Sequence, residues 1–365
     1  MIALLAAGIL AAASPPAAAS PPGTTGVGFL EIPVGARPAG MSEAFTGLAD
    51  DVHALAYNPA GLALLRQQEM GFVHDAYASG VYHEWAGYVY PSALGTFGAS
   101  ANMLFVKPFD AYDANDQVVG QASAMDSAYQ LTYALPFSDT LAFGGSFKRI
   151  SSRLWNTTAE TYAVDGGVLW QPLPRLRVGG AVLNLGPGLR YVAVTESLPT
   201  MVRVGASWTP FSPDEYRHWI TLACDVTKPR ESVLAAAGGA EFWYENILAL
   251  RVGGRTDAGA GPGYTIGAGI YVFRGEHKGF ELGFDYAFTN SGDFATTQRA
   301  SMVVKFGEPL YERDRLDIFG RRHARYRAAA HEDALRQAPA LAPALAPSSA
   351  PQSSDLILPE DGVKP

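Results

Sequence analysis

The chain has 365 residues, 17% charged and 48% hydrophobic, with 39 glycines and 17 tyrosines. Soluble domains run nearer a quarter charged, so much of this surface is expected to face something other than water. The formal net charge of −8 excludes the basic footprint of a nucleic-acid binder, and the single cysteine, Cys224, excludes an internal disulfide or a Cys-rich zinc site.

Residues 1–19 read as a signal peptide with an Ala17-x-Ala19 cleavage site, although its first residues hold no Lys or Arg. Pro15 and Pro16 argue against a permanent helical span. No later stretch approaches the ~18–20 apolar residues that a spanning helix requires. Membrane residence would therefore require a closed sheet.

Residues 20–67 come next. SPPGTTGV (20–27) is a lead-in, and Gly28 to Leu62 is dominated by small residues punctuated by Arg37, Asp50, Asp51 and Asn58. Small residues let backbones run close together, which suits a segment folded inside something else. Asp50 or Asp51 is expected to cap a short helix through Tyr57, and Pro59 to start a second through Leu65. With no third oxygen ligand nearby in sequence, a capping role outweighs a cation site. Arg37 either pins the segment to acids such as Glu281 and Asp285 or faces the periplasm unpaired. Asn58 is read as a turn residue ahead of the bend fixed by Pro59.

From Gln68 the period changes to two. Phe280, Leu282, Phe284, Tyr286 and Phe288 alternate with Glu281, Gly283, Asp285, Ala287 and Thr289. Residues 95–106 and 125–133 repeat the pattern, which makes Asp126, Gln130, Glu281 and Asp285 lumen-facing candidates in a barrel. Fourteen strands are predicted: 68–75, 80–90, 95–106, 121–135, 141–152, 161–170, 175–184, 200–209, 216–226, 235–244, 247–256, 262–273, 279–290 and 299–306. Many are near the ~9–11 residues that a tilted strand needs to cross a bilayer. Alternation alone does not separate a soluble sandwich from a membrane barrel, but loop lengths do. The long connections (107–120, 153–160, 185–199, 227–234, 291–298) all fall on one side. The short ones (91–94, 136–140, 171–174, 210–215, 245–246, 274–278) fall on the other, and only 76–79 and 257–261 blur the pattern. Outer-membrane barrels show this asymmetry, with short periplasmic turns. Trp85, Tyr88, Tyr90, Trp170, Trp208, Trp219 and Trp243 are read as interfacial girdles.

The fold class is thus all-β: a transmembrane antiparallel barrel of about fourteen strands over 68–306, with an N-terminal plug over 20–67. Residues 307–337 form a charged, helix-compatible extension, and 338–365 an Ala/Pro/Ser-rich tail without fixed structure. An even strand number places both termini in the periplasm of a Gram-negative-type outer membrane.

The plug stretch resembles the N-terminal signature of the PorV/PorQ group within the FadL-like outer-membrane barrels. The matching pieces are Phe29-Leu30-x-Ile32, Val34-Gly35-Ala36-Arg37, Gly40-Met41, Ala44-Phe45-Thr46, Ala49-Asp50-Asp51 and Asn58-Pro59-Ala60-Gly61-Leu62. Departures are Pro33, Pro38, Ser42-Glu43 and Tyr57, where the group has Gly, Ala, two glycines and Trp. The resemblance implies a plug motif carried by Gly35, Ala36, Arg37, Gly40, Met41, Asp50, Asp51, Asn58, Pro59, Ala60 and Gly61.

No catalytic constellation stands out. No G-x-S-x-G elbow precedes a helix, and the seven histidines lack ligand spacing. His83, Glu84 and Asp75 gather near the first hairpin, where ordinary loop-end polarity explains them. The chain is read as a non-enzyme without cofactor, embedded in outer-membrane lipid. The resemblance implies passage of a hydrophobic small molecule or, as an alternative, contact with a protein of a secretion or surface-attachment system. A secreted soluble β-protein is the residual alternative.

Overall fold

The computed structural model describes residues 26–310 except 78–79, 192–193, 212–216, 231, 257–262, 274–278 and 291–295. The signal segment and everything beyond Leu310 lie outside the described residues. The strands are β1 (Gln68–Ala76), β2 (Val81–Ser92), β3 (Gly95–Tyr112), β4 (Val118–Pro136), β5 (Leu141–Leu154), β6 (Thr157–Leu173) and β7 (Leu176–Leu185). They continue as β8 (Leu189–Arg190), β9 (Thr195–Glu196), β10 (Met201–Trp208), β11 (His218–Pro229) and β12 (Ala235–Tyr244). The last are β13 (Leu248–Arg255), β14 (Gly263–Val272), β15 (Phe280–Asn290) and β16 (Thr297–Phe306).

Fourteen strands form one closed barrel, each antiparallel to its neighbours, and β8–β9 make a separate pair. The seam is β1 against β16, running from Gln68↔Phe306 to Asp75↔Arg299. Closure removes the free edges that an open sheet would leave.

The side-chain alternation decides which medium surrounds the wall. On β15, Phe284 and Tyr286 are 51% and 47% exposed, whereas Asp285 and Ala287, the residues that follow them, are 3% and 0%. Phe97, Leu131, Phe147, Ile266 and Ile270 likewise point outward. A soluble sandwich turns such residues inward, and an outer-membrane barrel turns them to lipid. This is the inverted arrangement. Replacing Phe284 by a charge and replacing Asp285 therefore test different faces.

Two predicted loops are mostly strand. The β3 and β4 ladder runs on to Tyr112↔Val118, and β5–β6 to Leu154↔Thr157, so these hairpins extend the wall itself. In the β3–β4 extension the in–out alternation lapses and the register shifts near Val106 and Ala111, so the strand continues there without a period-two signal. The turn Glu245-Asn246 has φ 53° and 61° at its two central residues, with Ile247 N–H donating to Tyr244 O at 3.0 Å. That is the primed two-residue turn whose twist suits a hairpin.

Residues 26–67 lie inside the barrel. A 3₁₀ turn (Gly28–Glu31), a five-residue helix (Ala36–Gly40), a short helix (Ala54–Tyr57) and a 3₁₀ helix (Pro59–Leu64) follow one another. The main apolar core is lumenal: Met41, Phe45, Leu48, Val52, Leu55 and Leu62 pack with Val73, Trp85 and Val89 of the wall. A second cluster sits toward the rim that carries the long connections, where Val27 and Phe29 meet Ile150, Leu189 and Leu198.

The expected periplasmic placement of both termini falls on residues outside the described ones. Gly26 N–H donates to Ser197 O at 3.2 Å, in the β9–β10 connection of the long rim, whereas Leu310 N–H donates to Arg66 O at 2.7 Å beside the start of β1. The described chain thus begins at the mouth opposite to the one where β16 ends. It traverses the lumen before joining β1.

Candidate functional site

The segment is held by a buried ion network that crosses the lumen. Arg37 leaves the helix Ala36–Gly40 and grips Glu241 of β12 with two parallel bonds, Nε and Nη2 to Oε1 and Oε2, both 2.9 Å. Its Nη1 donates to Asp50 Oδ1 at 2.8 Å and to Asp51 Oδ2 at 2.7 Å. Glu241 also accepts from Arg251 Nε at 2.7 Å, and Arg251 continues to Asp285, which accepts from the Tyr271 hydroxyl at 2.9 Å. The planar guanidinium supplies the fork that a lysine could not. Burial opposes the charge on Arg37, yet Asp50, Glu241 and Asp51 together keep its pKa well above the ordinary value. Burial alone would push the Asp51 carboxyl up, but His53 and Arg37 outweigh it and hold it well below the usual carboxylate range.

These contacts correct two expectations. Arg37 pairs with Glu241 and its neighbours Asp50 and Asp51, while Asp285 enters only through Arg251 and Glu281 faces Lys305 at 3.3 Å. Nor does Asp50 or Asp51 cap the helix at Ala54, whose N-cap is His53 without a side-chain cap. Asp51 instead accepts from His53 N–H at 2.8 Å and spends its other oxygen on Arg37. Attraction to a cation won over a helix end.

A second anchor lies nearer the long rim. Arg203 of β10 donates to Thr46 Oγ1 at 3.1 Å and to Glu43 O at 2.7 Å, and Thr46 N–H donates to Asp225 Oδ2 at 3.0 Å. Ser42 meets Thr265, whose hydroxyl also donates to Gly40 O at 3.0 Å. Asn58 accepts from Ala60 N–H at 3.2 Å, as a turn residue should, and its amide also ties Thr46 O at 2.9 Å to Val168 O of β6 at 3.1 Å. Gln130 donates to Leu55 O at 2.8 Å. Asp126 stands further toward the long rim, where it accepts from Ser152.

Glycines let the wall come this close. A Cβ at Gly144, Gly167 or Gly179 would fall under 3.0 Å from Pro59, Asn58 or Thr46, and one at Gly239 or Gly253 would do the same against Met41. Gly253 lies within β13, where it clears a path for backbone. Gly35, at φ +88°, needs its freedom as well, because the His53 ring fills the space of a Cβ. Met41, Ala60 and Gly61 are buried among the same contacts.

Three tryptophans leave the predicted girdle. Trp85 is buried in the lumen and stacks on His53, and Trp219 and Trp243 stack on each other at 5.3 Å. Tyr90 and Trp208 do face outward. His83 is also lumenal: Nδ1 lies 2.9 Å from Asp75 Oδ2 and Nε2 2.7 Å from Asn102 Oδ1. Both ring nitrogens are engaged in structure, and Glu84 points to the opposite face beside His74. Among the described residues no three His, Cys, Asp or Glu side chains converge as a metal set.

The segment divides the lumen. Toward the short-turn rim lies a cavity of about 330 Å³ lined by Arg37, Arg177, Glu241, Trp243 and Lys305. Toward the long rim lies one of about 340 Å³ lined by Glu43, Arg203, Arg255, Thr265 and Arg299.

A closed barrel of fourteen antiparallel strands with an apolar exterior is the architecture of an outer-membrane protein. Residues 6–155 match the family described as "Uncharacterised protein family (UPF0164)". A UPF0164 protein of Treponema pallidum (strain Nichols) is 35% identical over 170 residues, which span 42% of this chain and 42% of that relative's own length. Neither match carries the PorV/PorQ name. Among solved structures, the CymD monoaromatic hydrocarbon channel has a TM-score of 0.54 at 12% identity, covering 76% of this chain and 98% of that one. The Pseudomonas putida toluene transporter TodX has a TM-score of 0.50 at 13% identity, covering 73% and 96%. A Pseudomonas aeruginosa FadL homologue has a TM-score of 0.45 at 11% identity, covering 74% and 97%. At such identities the likeness is one of fold.

Proposed function

We propose that this protein is a FadL-like outer-membrane channel for small hydrophobic molecules, closed at rest by residues 28–62 acting as a plug. The observation that supports the reading is the pair of lumenal cavities with the Arg37–Glu241–Arg251 layer between them. The two structural neighbours, a toluene transporter and a monoaromatic hydrocarbon channel, support the cargo class. The short-turn rim faces the periplasm in this reading, as it does in bacterial barrels generally. Among the described residues nothing favours the secretion alternative.

Deleting residues 28–62 tests the plug. In planar bilayers the intact protein is expected to be silent and the deletion protein to conduct. A deletion protein that keeps its heat-modifiable gel migration, and so its barrel, yet stays silent would remove the plug from the account. Uptake of labelled toluene by cells carrying the intact protein, against cells without it, tests the cargo class separately.

A further inference from the structure

The cavity at the short-turn rim has a chemical character that a path for bare hydrocarbon does not require. At about 330 Å³ it sits at the small end of ligand pockets, which run roughly 300–1,000 Å³. One part is apolar, made by the Trp219–Trp243 stack, Tyr271 and Val303. The rest is polar. Arg37, Arg175, Arg177 and Lys305 supply four positive charges, and Asp50, Asp51, Glu241 and Glu281 supply four negative ones, so the lining is net neutral.

Several of those charges are committed to the network described above, but Arg177 is held loosely. Its Nη1 reaches Leu48 O and Asp50 Oδ2 at 3.3 Å each, from a half-buried position on β7. Gln171, Ser207 and Thr209 add neutral donors and acceptors. A bare hydrocarbon in this space would strip water from these groups and return no hydrogen bond. A lone ion would enter a balanced lining without its counter-charge. A neutral molecule that both donates and accepts meets neither penalty.

We propose that this cavity is a binding site for a small neutral molecule joining an apolar ring to a hydrogen-bonding group, with the ring against Trp219 and Trp243 and the polar group at Arg177 and Asp50. The proposal rests on the channel reading for how such a molecule arrives, and on the cavity alone for its binding. It places a ligand beyond the Arg37 layer, on the short-turn side of the segment.

Equilibrium dialysis of the full chain in lipid nanodiscs, with empty nanodiscs subtracted for lipid partition, tests it using labelled 4-methylphenol, toluene and benzoate. The expected result is saturable 4-methylphenol binding at least about tenfold tighter than toluene or benzoate, as one net hydrogen bond allows. Arg177→Met should bring 4-methylphenol to the level of toluene while the gel migration of the barrel is unchanged. Toluene binding as tightly as 4-methylphenol would overturn the inference and leave the channel reading standing. Preferred benzoate, an unaffected Arg177→Met protein, or no saturable binding of any probe would also overturn it. The conductance of the deletion protein judges the channel reading independently.

Discussion

Replacing Arg37 by Met removes the charge while keeping most of the side-chain length. Four contacts are lost, two to Glu241 and one each to Asp50 and Asp51. Each acid keeps another partner: Glu241 retains Arg251 at 2.7 Å, Asp51 retains His53, and Asp50 retains Arg177 at 3.3 Å. Removing one member of a buried pair costs about 3–5 kcal/mol when the other is stranded, so the low end, about 3 kcal/mol, applies here. At 1.4 kcal/mol per decade that is roughly a hundredfold in the ratio of docked to undocked segment. The barrel ladder is untouched, so the loss falls on docking rather than on the wall. Single-channel recording should show openings roughly a hundredfold more frequent than in the intact protein, and limited proteolysis should cut the segment correspondingly faster. A variant equally silent and equally resistant would refute the reasoning. Adding Glu241→Gln to Arg37→Met closes a double-mutant cycle, and a coupling near zero would mean that the pair does not hold the segment.

Gly167→Ala should loosen the segment because its Cβ would collide with Asn58 and Pro59, whereas Gly166→Ala meets nothing within 4 Å; equal protease protection in both variants would deny the close approach. Phe284→Arg should cost roughly 2–4 kcal/mol at the bilayer midplane, read from denaturant unfolding in lipid vesicles. Asp285→Ala should also destabilise, by leaving the buried Arg251 with Glu241 as its one remaining acid, and is expected to be rescued partly by Arg251→Met. Asp51 is held well below the usual carboxylate range, so its contribution to docking is complete above its unfolded value of about 4 and is lost only as pH falls through its lower folded value. Conductance should therefore stay closed from neutral pH down to about pH 4 and rise only in stronger acid; opening already between about pH 5 and 6 would assign the switch to another group.

The strands were legible because lipid and lumen impose opposite demands on successive residues, and Phe280 to Thr289 satisfies both without exception. The small-residue segment was legible as something enclosed, since Gly35 and Gly61 make sense only against close neighbours. Its partners were not. Glu241, Arg203 and Asp225 sit about 160 to 200 residues from the groups they hold, and no local pattern links them. A usable signal was present nonetheless: Arg203, Asp225, Glu241, Arg251 and Arg299 all fall at the small or polar parity of their strands, where a charge needs a lumenal counterpart. The lumenal tryptophans defeated the reading for a related reason. Strand parity places Trp219 with Asp225 and Trp243 with Glu241, yet aromatic rings are also favoured at bilayer interfaces, so residue type pointed the other way.

The glycines facing the segment make the wall and the enclosed chain a matched pair. At Gly144, Gly167, Gly179, Gly239 and Gly253 the wall leaves less room than one methyl group beside the enclosed chain. Neither surface can therefore vary alone: a bulkier residue at one of these wall positions is accommodated only by a shift of the enclosed chain, and a bulkier one at Thr46 or Met41 only by a shift of the wall.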